Sequence, residues 1–499
     1  MTDLITAARM RAQERAAIES GVVTGLELME RAGRGVVAAI LARWPDLASG
    51  PQRAQVLCGP GNNGGDGFVI ARLLAARGWT VTAYLLGDPA RLPPDARANL
   101  DRWQAVGAVV PLAQALPDER SALLVDALFG TGLTRPLEGA ARAACDRRAA
   151  RIVSVDLPSG LCGDSGRVLG GAAMRADLTV SFHAARPGHY LAEGPAHCGA
   201  LVLADIGLDH GPGDATLVAA PDAARLAKGA GHKYTHGHAL VLTGGAGHTG
   251  AARLAARAAL RVGAGAVTLG VPGAARLEVA CHITAEMLRP VAGAADLRAA
   301  LADPRITALC LGPGLGLARA REMVPEALRH ERAPCIVLDA DALTAFADAP
   351  DELFGDLHET CVLTPHAGEF ARLFPDLAAE LAAPATRGPA FSRLDATRAA
   401  ARRAGCVVLF KGPDTVIAAP DGRCSLHAAC YDRAAPWLAT AGSGDVLAGM
   451  ITGLLARGMG PMEAAGAAAW LHAEAARAFG PGLIATDLAK ELPGVLRAL

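Results

Sequence analysis

AQVLCGPGNNGGDGFVIARLLAARG, residues 54–78, is the stretch that most clearly indicates the fold. A short apolar strand ends at Cys58, a loop rich in Gly and Asn covers residues 59–67, and helical spacing begins at Phe68. The five Gly and two Asn of this loop permit positive φ and close approach of the backbone to a ligand. A helix N-terminus presents free N–H groups to phosphate. The stretch therefore predicts a phosphate or dinucleotide site, although a βα turn without ligand is the alternative.

The same alternation of apolar runs and helical stretches continues along the chain and predicts parallel α/β sheets. Most of the runs end in Gly, Asp or Pro, and parallel sheets bind ligands at the carboxyl ends of their strands. A segment rich in Gly, Pro and Asp at 210–225 predicts a domain boundary, so we expect domains at 1–215 and 222–499. The predicted strands are 54–59, 80–86, 123–128, 151–157, 178–182, 239–244, 266–271, 306–312, 335–340, 361–365 and 406–412.

Composition narrows the class of function. The 499 residues carry a net charge of −1, which argues against a nucleic-acid or anionic-membrane partner. The sequence shows neither a membrane span nor a signal peptide, and its 11 Cys follow no zinc or disulfide pattern. We therefore expect a cytoplasmic protein that acts on small molecules. We also expect a homo-oligomer, an expectation that does not follow from the composition.

Oxygen ligands follow three predicted strands of the first half. Asn63 lies in the Gly-rich loop, Asp126 in VDALFGTGL and Ser159 in VDLPSG. A single Asp in such a position is more often a helix cap. Three sites of this kind, each beside Gly, are better explained by a bound alkali or alkaline-earth ion.

The motifs GPGNNGGDG, VDALFGTGL and VDLPSG, with MRAQERAAIESG and LMERAG, resemble the NAD(P)H-hydrate epimerase domain over roughly residues 8–210. The resemblance implies a Rossmann-like sheet and interconversion of the R and S forms of NAD(P)H hydrated at C6 of the nicotinamide ring. It also implies a K⁺ ion bound by Asn63, Asp126 and Ser159. Asp156 would contact the reacting end and either transfer a proton or stabilise a cationic intermediate. The residues implied for dinucleotide binding are Asn62, Asn63, Gly64, Gly65, Asp66, Gly130, Thr131, Gly132, Leu133, Thr134, Arg135, Pro136 and Asp156.

The second half has its strongest motif at residues 440–445, TAGSGD, ahead of a helical stretch. Small residues and one carboxylate in the first turn of a helix can stabilise a phosphoryl group and supply a base, although ordinary capping is the alternative. Lys411 is one of only four lysines and follows a predicted strand beside Gly412, which suits phosphate contact, although a surface lysine is the alternative. A histidine in a loop is more often structural than catalytic, but the position of His366 after another strand, between Pro365 and Ala367-Gly368, makes it a pocket candidate.

The motifs HKYTHGH, GPGLG, LDADAL, LTPHAGE and GSGD are similar to the ADP-dependent NAD(P)H-hydrate dehydratases of the ribokinase-like superfamily, over roughly residues 225–499. The resemblance implies a ribokinase-like sheet, so we expect an α/β protein of two three-layer domains. It implies Mg²⁺ shared with ADP, and Asp445 as the catalytic base. ADP would be bound by Lys411, Gly412, Pro413, Asp414, Thr415 and Gly444. The hydrated dinucleotide would lie near Ala251, Gly314, His366 and Asp445.

Together these expectations describe repair of NADHX and NADPHX, the hydrated coenzymes. Asp445 would take the proton of the C6 hydroxyl, which attacks the β-phosphate of ADP, and loss of phosphate restores the dihydronicotinamide. The epimerase would supply the R form to a dehydratase that accepts S. Two alternatives remain: a vitamin or sugar kinase that uses ATP, and a scaffold without activity, which would be expected to have degraded site loops.

Overall fold

The computed structural model describes residues 2–115, 121–147, 149–209 and 211–499. They form two compact units. The first unit contains Asp3–Ala215 together with Ala383–Ser392, and the second contains Thr2, Thr216–Ala382 and Arg393–Leu499. Nothing in the sequence indicated that Ala383–Ser392 lies in the first unit.

The first unit is built on a seven-stranded sheet in which every pair of neighbouring strands is parallel. Its strand order is β4-β3-β2-β5-β6-β7-β8, which is a Rossmann-like arrangement with crossovers to both sides of β2. Two of these strands, β4 and β8, were not predicted from the sequence. The strands are β2 (Arg53–Cys58), β3 (Thr80–Leu85), β4 (Val109–Pro111), β5 (Leu123–Ala127), β6 (Ile152–Val155), β7 (Leu178–Phe182) and β8 (Ala200–Ala204), numbered after β1 (Thr2–Leu4).

Apolar clusters cover both faces of this sheet, so its central strands are buried on either side. The larger cluster includes residues from the second and third helices, and the smaller one includes Leu133, Leu169 and Ala390. The helices of this unit are α1 (Ala7–Glu19), α2 (Gly25–Arg43), α3 (Asn62–Ala75), α4 (Pro94–Gln104), α5 (Gly139–Ala144) and α6 (Gly194–Cys198).

The second unit has a larger sheet of order β1-β9-β18-β17-β16-β15-β14-β13-β10-β11-β12. The strands from β10 to β16 are parallel, and all of them except β12 were predicted. The antiparallel hairpin of β17 and β18 was not predicted. The strands are β9 (Ala215–Leu217), β10 (His238–Leu242), β11 (Ala266–Val271), β12 (Met287–Pro290), β13 (Ile306–Leu311), β14 (Cys335–Leu338), β15 (Cys361–Leu363), β16 (Val407–Phe410), β17 (Asp414–Ala418) and β18 (Cys424–Ala428).

Helices rich in Ala bury this sheet, and Gly449 shows how closely they pack. A Cβ on Gly449 of helix α17 would lie 2.1 Å from the carbonyl oxygen of Ala255 in helix α8, so only Gly fits there. The helices are α7 (Ala223–Leu226), α8 (Gly250–Arg261), α9 (Arg276–His282), α10 (Ala294–Leu301), α11 (Leu317–Leu328), α12 (Asp341–Thr344), α13 (Pro350–Phe354), α14 (Ala367–Leu373), α15 (Pro375–Ala382), α16 (Arg393–Ala404), α17 (Ser443–Ala456), α18 (Pro461–Phe479) and α19 (Ala485–Ala498).

The Gly-rich loop differs from its prediction in two respects. Helix α3 begins at Asn62 and not at Phe68, so NNGGDG forms its first turns. None of the five glycines of the segment has a positive φ. Four of them are required by close packing instead, because a Cβ on Gly59, Gly64, Gly65 or Gly67 would lie less than 3.0 Å from a neighbouring atom.

Among the described residues, no helix has both the length and the apolar character needed to cross a membrane.

Candidate active sites

A cavity of about 400 Å³ lies at the carboxyl ends of the strands of the first unit. The loops after β2, β5 and β6 supply most of its lining, as expected for an open parallel sheet. Helix α1, the end of β7 and the loop after β7 contribute the rest. The lining residues are Met10, Arg11, Glu14, Pro60, Gly61, Asn62, Asn63, Asp66, Leu128, Phe129, Gly130, Thr131, Gly132, Leu133, Asp156, Phe182 and Arg186.

Asp156 is the most constrained carboxylate of this cavity. Its backbone has a φ of 66°, a conformation that residues other than Gly rarely adopt. One carboxylate oxygen accepts the Thr131 N–H at 2.7 Å, and the other accepts the Ser181 hydroxyl at 3.0 Å. The buried Arg186 guanidinium lies 3.6 Å from it. Burial alone would raise the pKa of Asp156, but Arg186 and the Thr131 N–H outweigh it and lower that pKa, so the group is ionised.

Two further carboxyl groups face the same cavity and behave in the opposite way. Burial, with the negative charge of Asp156, raises the pKa of Glu14 to about 7. Burial, with the charges of Asp156 and Glu14, also holds the pKa of Asp66 well above its usual range. The cavity therefore combines an ionised carboxylate with two carboxyl groups whose pKa values are raised.

The residues implied for K⁺ binding include a buried carboxylate that has no cationic side chain beside it among the described residues. Asp126 is fully buried, and burial raises its pKa. It accepts hydrogen bonds from the Ser159 hydroxyl at 2.6 Å and the Ser154 hydroxyl at 2.9 Å. The Asn63 amide nitrogen is buried without a hydrogen-bond partner in the described part of the chain. Hard oxygen atoms around an uncompensated negative charge suit an alkali cation.

Five of the residues expected to bind the dinucleotide lie outside the cavity lining. Gly64 packs on Gly59, with 2.0 Å between its Cβ position and the Gly59 carbonyl oxygen, and Gly65 packs on Met29. Thr134 accepts a hydrogen bond from the Gly388 N–H at 3.0 Å. The five residues are Gly64, Gly65, Thr134, Arg135 and Pro136.

The sequence analysis missed the contribution of α1 and the loop after β7. Met10, Arg11 and Glu14 line the cavity, as does Arg186. A signal for the first three was present, because residues at i, i+1 and i+4 share one side of a helix. Nothing in the sequence separated Arg186 from the many other arginines.

A cavity of about 490 Å³ in the second unit gathers most of the residues expected to bind ADP. Asp414 is the exception, since it lies 3.6 Å from the Arg393 guanidinium and does not line the cavity. The lining residues are Lys411, Gly412, Pro413, Thr415, His427, Ala429, Ala434, Ala435, Pro436, Leu438, Ala439, Ser443, Gly444, Leu447, Ala469, His472 and Ala473.

Lys411 is held at the edge of this cavity by two acidic side chains. Its ammonium lies 2.6 Å from the buried Asp339 carboxylate and 3.8 Å from Glu369. Burial by itself would lower the pKa of Lys411, but these two negative charges raise it, so the lysine is charged. A Cβ on Gly444 would lie 3.3 Å from the ammonium, which places the charge beside the first turn of α17.

Asp445 lies in that first turn, which begins after Gly442 in the left-handed conformation. Burial and the negative charge of Asp339 raise the pKa of Asp445 to about 6, against the lowering effect of Lys411. A carboxylate with this pKa is mostly ionised at neutral pH and is a stronger base than an exposed Asp. It is therefore suited to take a proton from a hydroxyl group.

The residues expected near the hydrated dinucleotide do not line this cavity. Ala251 and Gly314 are neighbours, because a Cβ on Gly314 would lie 3.4 Å from the Ala251 Cβ. His366 caps α14, with its Nδ1 accepting the Gly368 N–H at 2.9 Å, and its side chain is 54% exposed. That exposure leaves its ring accessible to a ligand.

Both parts of the chain match known protein families. Residues 239–493 match the NAD(P)H-hydrate dehydratase family, and residues 25–188 match the family described as YjeF-related protein N-terminus. The bifunctional NAD(P)H-hydrate repair enzyme Nnr of Moorella thermoacetica is 38% identical, with 99% of this chain and 97% of that protein covered. The NAD(P)H-hydrate epimerase of Rhodobacter capsulatus is 53% identical, with 38% of this chain and 92% of that protein covered.

Among solved structures, the ADP/ATP-dependent NAD(P)H-hydrate dehydratase of Bacillus subtilis, co-crystallised with ATP and Mg²⁺, is 27% identical with a TM-score of 0.44. The alignment covers 55% of this chain and 93% of that chain. The relatives that match nearly the whole of this chain are named bifunctional NAD(P)H-hydrate repair enzymes. On the sequence identity over the whole length, the chain belongs to the family of bifunctional NAD(P)H-hydrate repair enzymes.

Proposed function

We propose that the chain repairs hydrated nicotinamide coenzymes with its two sites. The first unit interconverts (R)- and (S)-NAD(P)HX, and the second dehydrates (S)-NAD(P)HX to NAD(P)H while ADP is converted to AMP and phosphate. Family membership supports both activities. The observation that carries the proposal is the first turn of α17, where Gly444 lies against the Lys411 ammonium and the next residue is the carboxylate of Asp445, whose pKa is raised to about 6 by burial and Asp339.

In the second unit, the terminal phosphate of ADP would lie at the N-terminus of α17. The main-chain N–H group of Gly444 and the Lys411 ammonium would supply positive potential there. Asp445 removes the proton of the C6 hydroxyl, whose oxygen attacks the β-phosphorus as AMP leaves. The ring-nitrogen lone pair then expels phosphate, and loss of a proton from C5 completes the dihydronicotinamide.

Mg²⁺ is proposed to enter this site with the phosphates of ADP. The carboxylates of Asp339 and Asp445 offer the hard oxygen atoms that Mg²⁺ prefers. The described residues contain no cluster of three or more His, Cys, Asp or Glu side chains arranged to hold a metal by themselves. When bound, the ion would neutralise charge on the transferred phosphoryl group.

In the first unit, we propose that Asn62, Asp66, the loop 130–133 and Asp156 hold the reacting end of the dinucleotide. A Cβ on Gly130 would lie 2.6 Å from Asp156 Oδ2, so Gly130 keeps the space before this carboxylate open. K⁺ would be held by Asn63, Asp126 and Ser159 and would compensate the buried charge of Asp126. Gly64, Gly65 and the segment 134–136 would support the binding loops from behind.

The cytoplasm is the proposed compartment, and a homo-oligomer is the proposed state. The proposed compartment rests on the cysteines, because most of them are buried free thiols, as is usual in a reducing environment. Light scattering on the purified protein tests the proposed oligomeric state.

The deciding experiment supplies purified protein with mixed-epimer NADHX and either ADP or ATP. Recovery of the dihydronicotinamide absorbance from both epimers with ADP is the expected result. A protein that phosphorylates a hydroxymethylpyrimidine with ATP and leaves NADHX unchanged would instead be a vitamin kinase. Absence of any turnover would favour the scaffold alternative.

A further inference from the structure

Glu14 lines the cavity of the first unit but has no role in the function described so far. It lies on α1, and Met10 and Arg11 line the cavity from the same side of this helix. The Glu14 side chain is half-buried. No described residue donates a hydrogen bond to its carboxyl group, which leaves that group available to a ligand in the cavity.

The position of α1 is held by several contacts at its N-terminus. The Thr6 N–H and hydroxyl both donate to Asp214 at 2.8 Å, and the Ala7 N–H donates to Asp164 at 2.7 Å. The Ile5 N–H donates to the carbonyl oxygen of Ala185, next to Arg186. Glu14 follows two turns later on a rigid element. Its approach to the cavity is therefore set by the fold and not by a mobile loop.

Asp156 is poorly arranged for proton exchange. Both of its oxygens accept hydrogen bonds, and Arg186 lies beside it. These contacts stabilise the ionised form, so protonation would have to overcome all of them. Two carboxyl groups whose surroundings favour opposite protonation states divide the roles of proton carrier and fixed charge between them.

We propose that Glu14 is the general acid–base residue of the epimerisation, while Asp156 remains ionised and stabilises positive charge on the ring. This inference rests on the proposed epimerase activity and assigns a second catalytic residue to that site. The observation that supports this inference is that Glu14 and Asp156 line the same cavity.

In this step the C6–O bond of the hydrated ring breaks and re-forms on the other face. Protonated Glu14 gives its proton to the C6 hydroxyl, and the C6–O bond breaks with both electrons leaving on water. The lone pair of the ring nitrogen forms a C6=N double bond, whose positive charge is stabilised by Asp156. Water then attacks the other face of C6, the π pair returns to nitrogen, and the proton released returns to Glu14 through cavity water.

The protonation of Glu14 determines how the rate of epimerisation changes with pH. The titratable and charged groups that face Glu14 are Asp66, Asp156, Arg186 and Arg11. Burial and the charge of Asp156 raise the pKa of Glu14 against the lowering effect of the two arginines. With the pKa of Glu14 raised to about 7, the proton-donating form is present below pH 7 and is lost above it. Asp156 stays ionised throughout the neutral range. Epimerisation should therefore decline as the pH rises above about 7.

The test measures interconversion of the two epimers by the full-length protein without ADP, so that the dehydratase is idle. Glu14→Gln should lower kcat about 10²-fold or more with little change in KM, and should remove the alkaline decline. Glu14→Asp should retain part of the rate and shift the decline. Glu19→Gln, on the same helix but exposed, is the matched control and should behave as the unmodified protein.

ADP-dependent dehydration of the S epimer by each variant, together with its melting temperature, reports whether the chain is folded. A folded Glu14→Gln protein that keeps its rate within threefold and retains the alkaline decline would overturn the inference. Should Glu14→Gln fail to fold, an unaltered pH profile in Glu14→Asp would overturn it equally. Failure of the unmodified protein to interconvert the epimers would refute the proposed epimerase activity itself.

Discussion

The dehydratase proposal depends on the carboxylate of Asp445. Its raised pKa leads to a direct prediction. Asp445→Asn should still bind ADP, whereas recovery of NADH should fall by about 10²- to 10⁴-fold because no base remains. In the unmodified protein kcat/KM should fall as the pH drops below about 6, since the proton that then binds Asp445 removes the base. Undiminished turnover in the variant would refute this role.

Asp339 contributes, after burial, to the raised pKa of Asp445, and its contribution can be tested separately. Its negative charge raises the pKa of Asp445, so Asp339→Asn should lower it and move the acid limb of kcat/KM to lower pH. Asp348→Asn, an exposed change elsewhere on the same unit, should leave the limb in place. An unshifted limb in Asp339→Asn would show that another group controls the profile.

At the scale of elements, the start of α3 depends on glycine for packing. A Cβ at Gly64 would overlap the carbonyl oxygen of Gly59, whereas a Cβ at Gly132 would meet no atom within 4 Å. Gly64→Ala should therefore cost about 1–3 kcal/mol of unfolding free energy, as overpacking does, and Gly132→Ala very little. Calorimetry on the full-length protein measures both. Equal effects of the two substitutions would contradict this explanation.

The segment Ala383–Ser392 supports the loop that contains Leu133. The Gly388 N–H donates to the Thr134 carbonyl, the Gly170 N–H donates to the Ala385 carbonyl, and Ala390 is buried among the same apolar residues as Leu133. Because Leu133 lines the cavity of the first unit, the segment should influence epimerisation.

Replacing residues 384–391 with a Gly/Ser linker of equal length tests that influence. We expect a lower melting temperature of the first unit and severalfold slower epimerisation, because the loop 130–136 loses its support. Dehydration of pure S epimer should be retained. Unchanged epimerisation would mean that the loop is stable without the segment.

At the scale of the whole molecule, two separate sites predict functional complementation. With mixed epimers and ADP, Asp156→Asn should restore only the S fraction quickly, and Asp445→Asn should restore none. An equimolar mixture of the two variants should restore both fractions, because the free epimers diffuse between proteins. The amplitude and rate of the absorbance increase provide the measurement. A mixture that recovers only the S fraction would contradict exchange through solution.

Much of the fold was predictable because local patterns carried it. Most of the parallel strands read as short apolar runs, and their regular alternation with helices predicted the α/β class that the structure confirms. The parallel strands β4, β8 and β12 and the hairpin of β17 and β18 were not predicted. The start of α3 at Asn62 was also missed, because glycine-rich residues read as a loop.

By itself the sequence determined the family, the class of fold and the loops that could meet a ligand, because these depend on short motifs and local periodicity. Only the tertiary structure decided that Glu14 shares a cavity with Asp156, that Asp339 holds Lys411, and that Ala383–Ser392 belongs to the first unit. The physical reason is that burial and the approach of distant charges set the protonation state of a carboxyl group. Neither quantity is encoded in its immediate sequence neighbours.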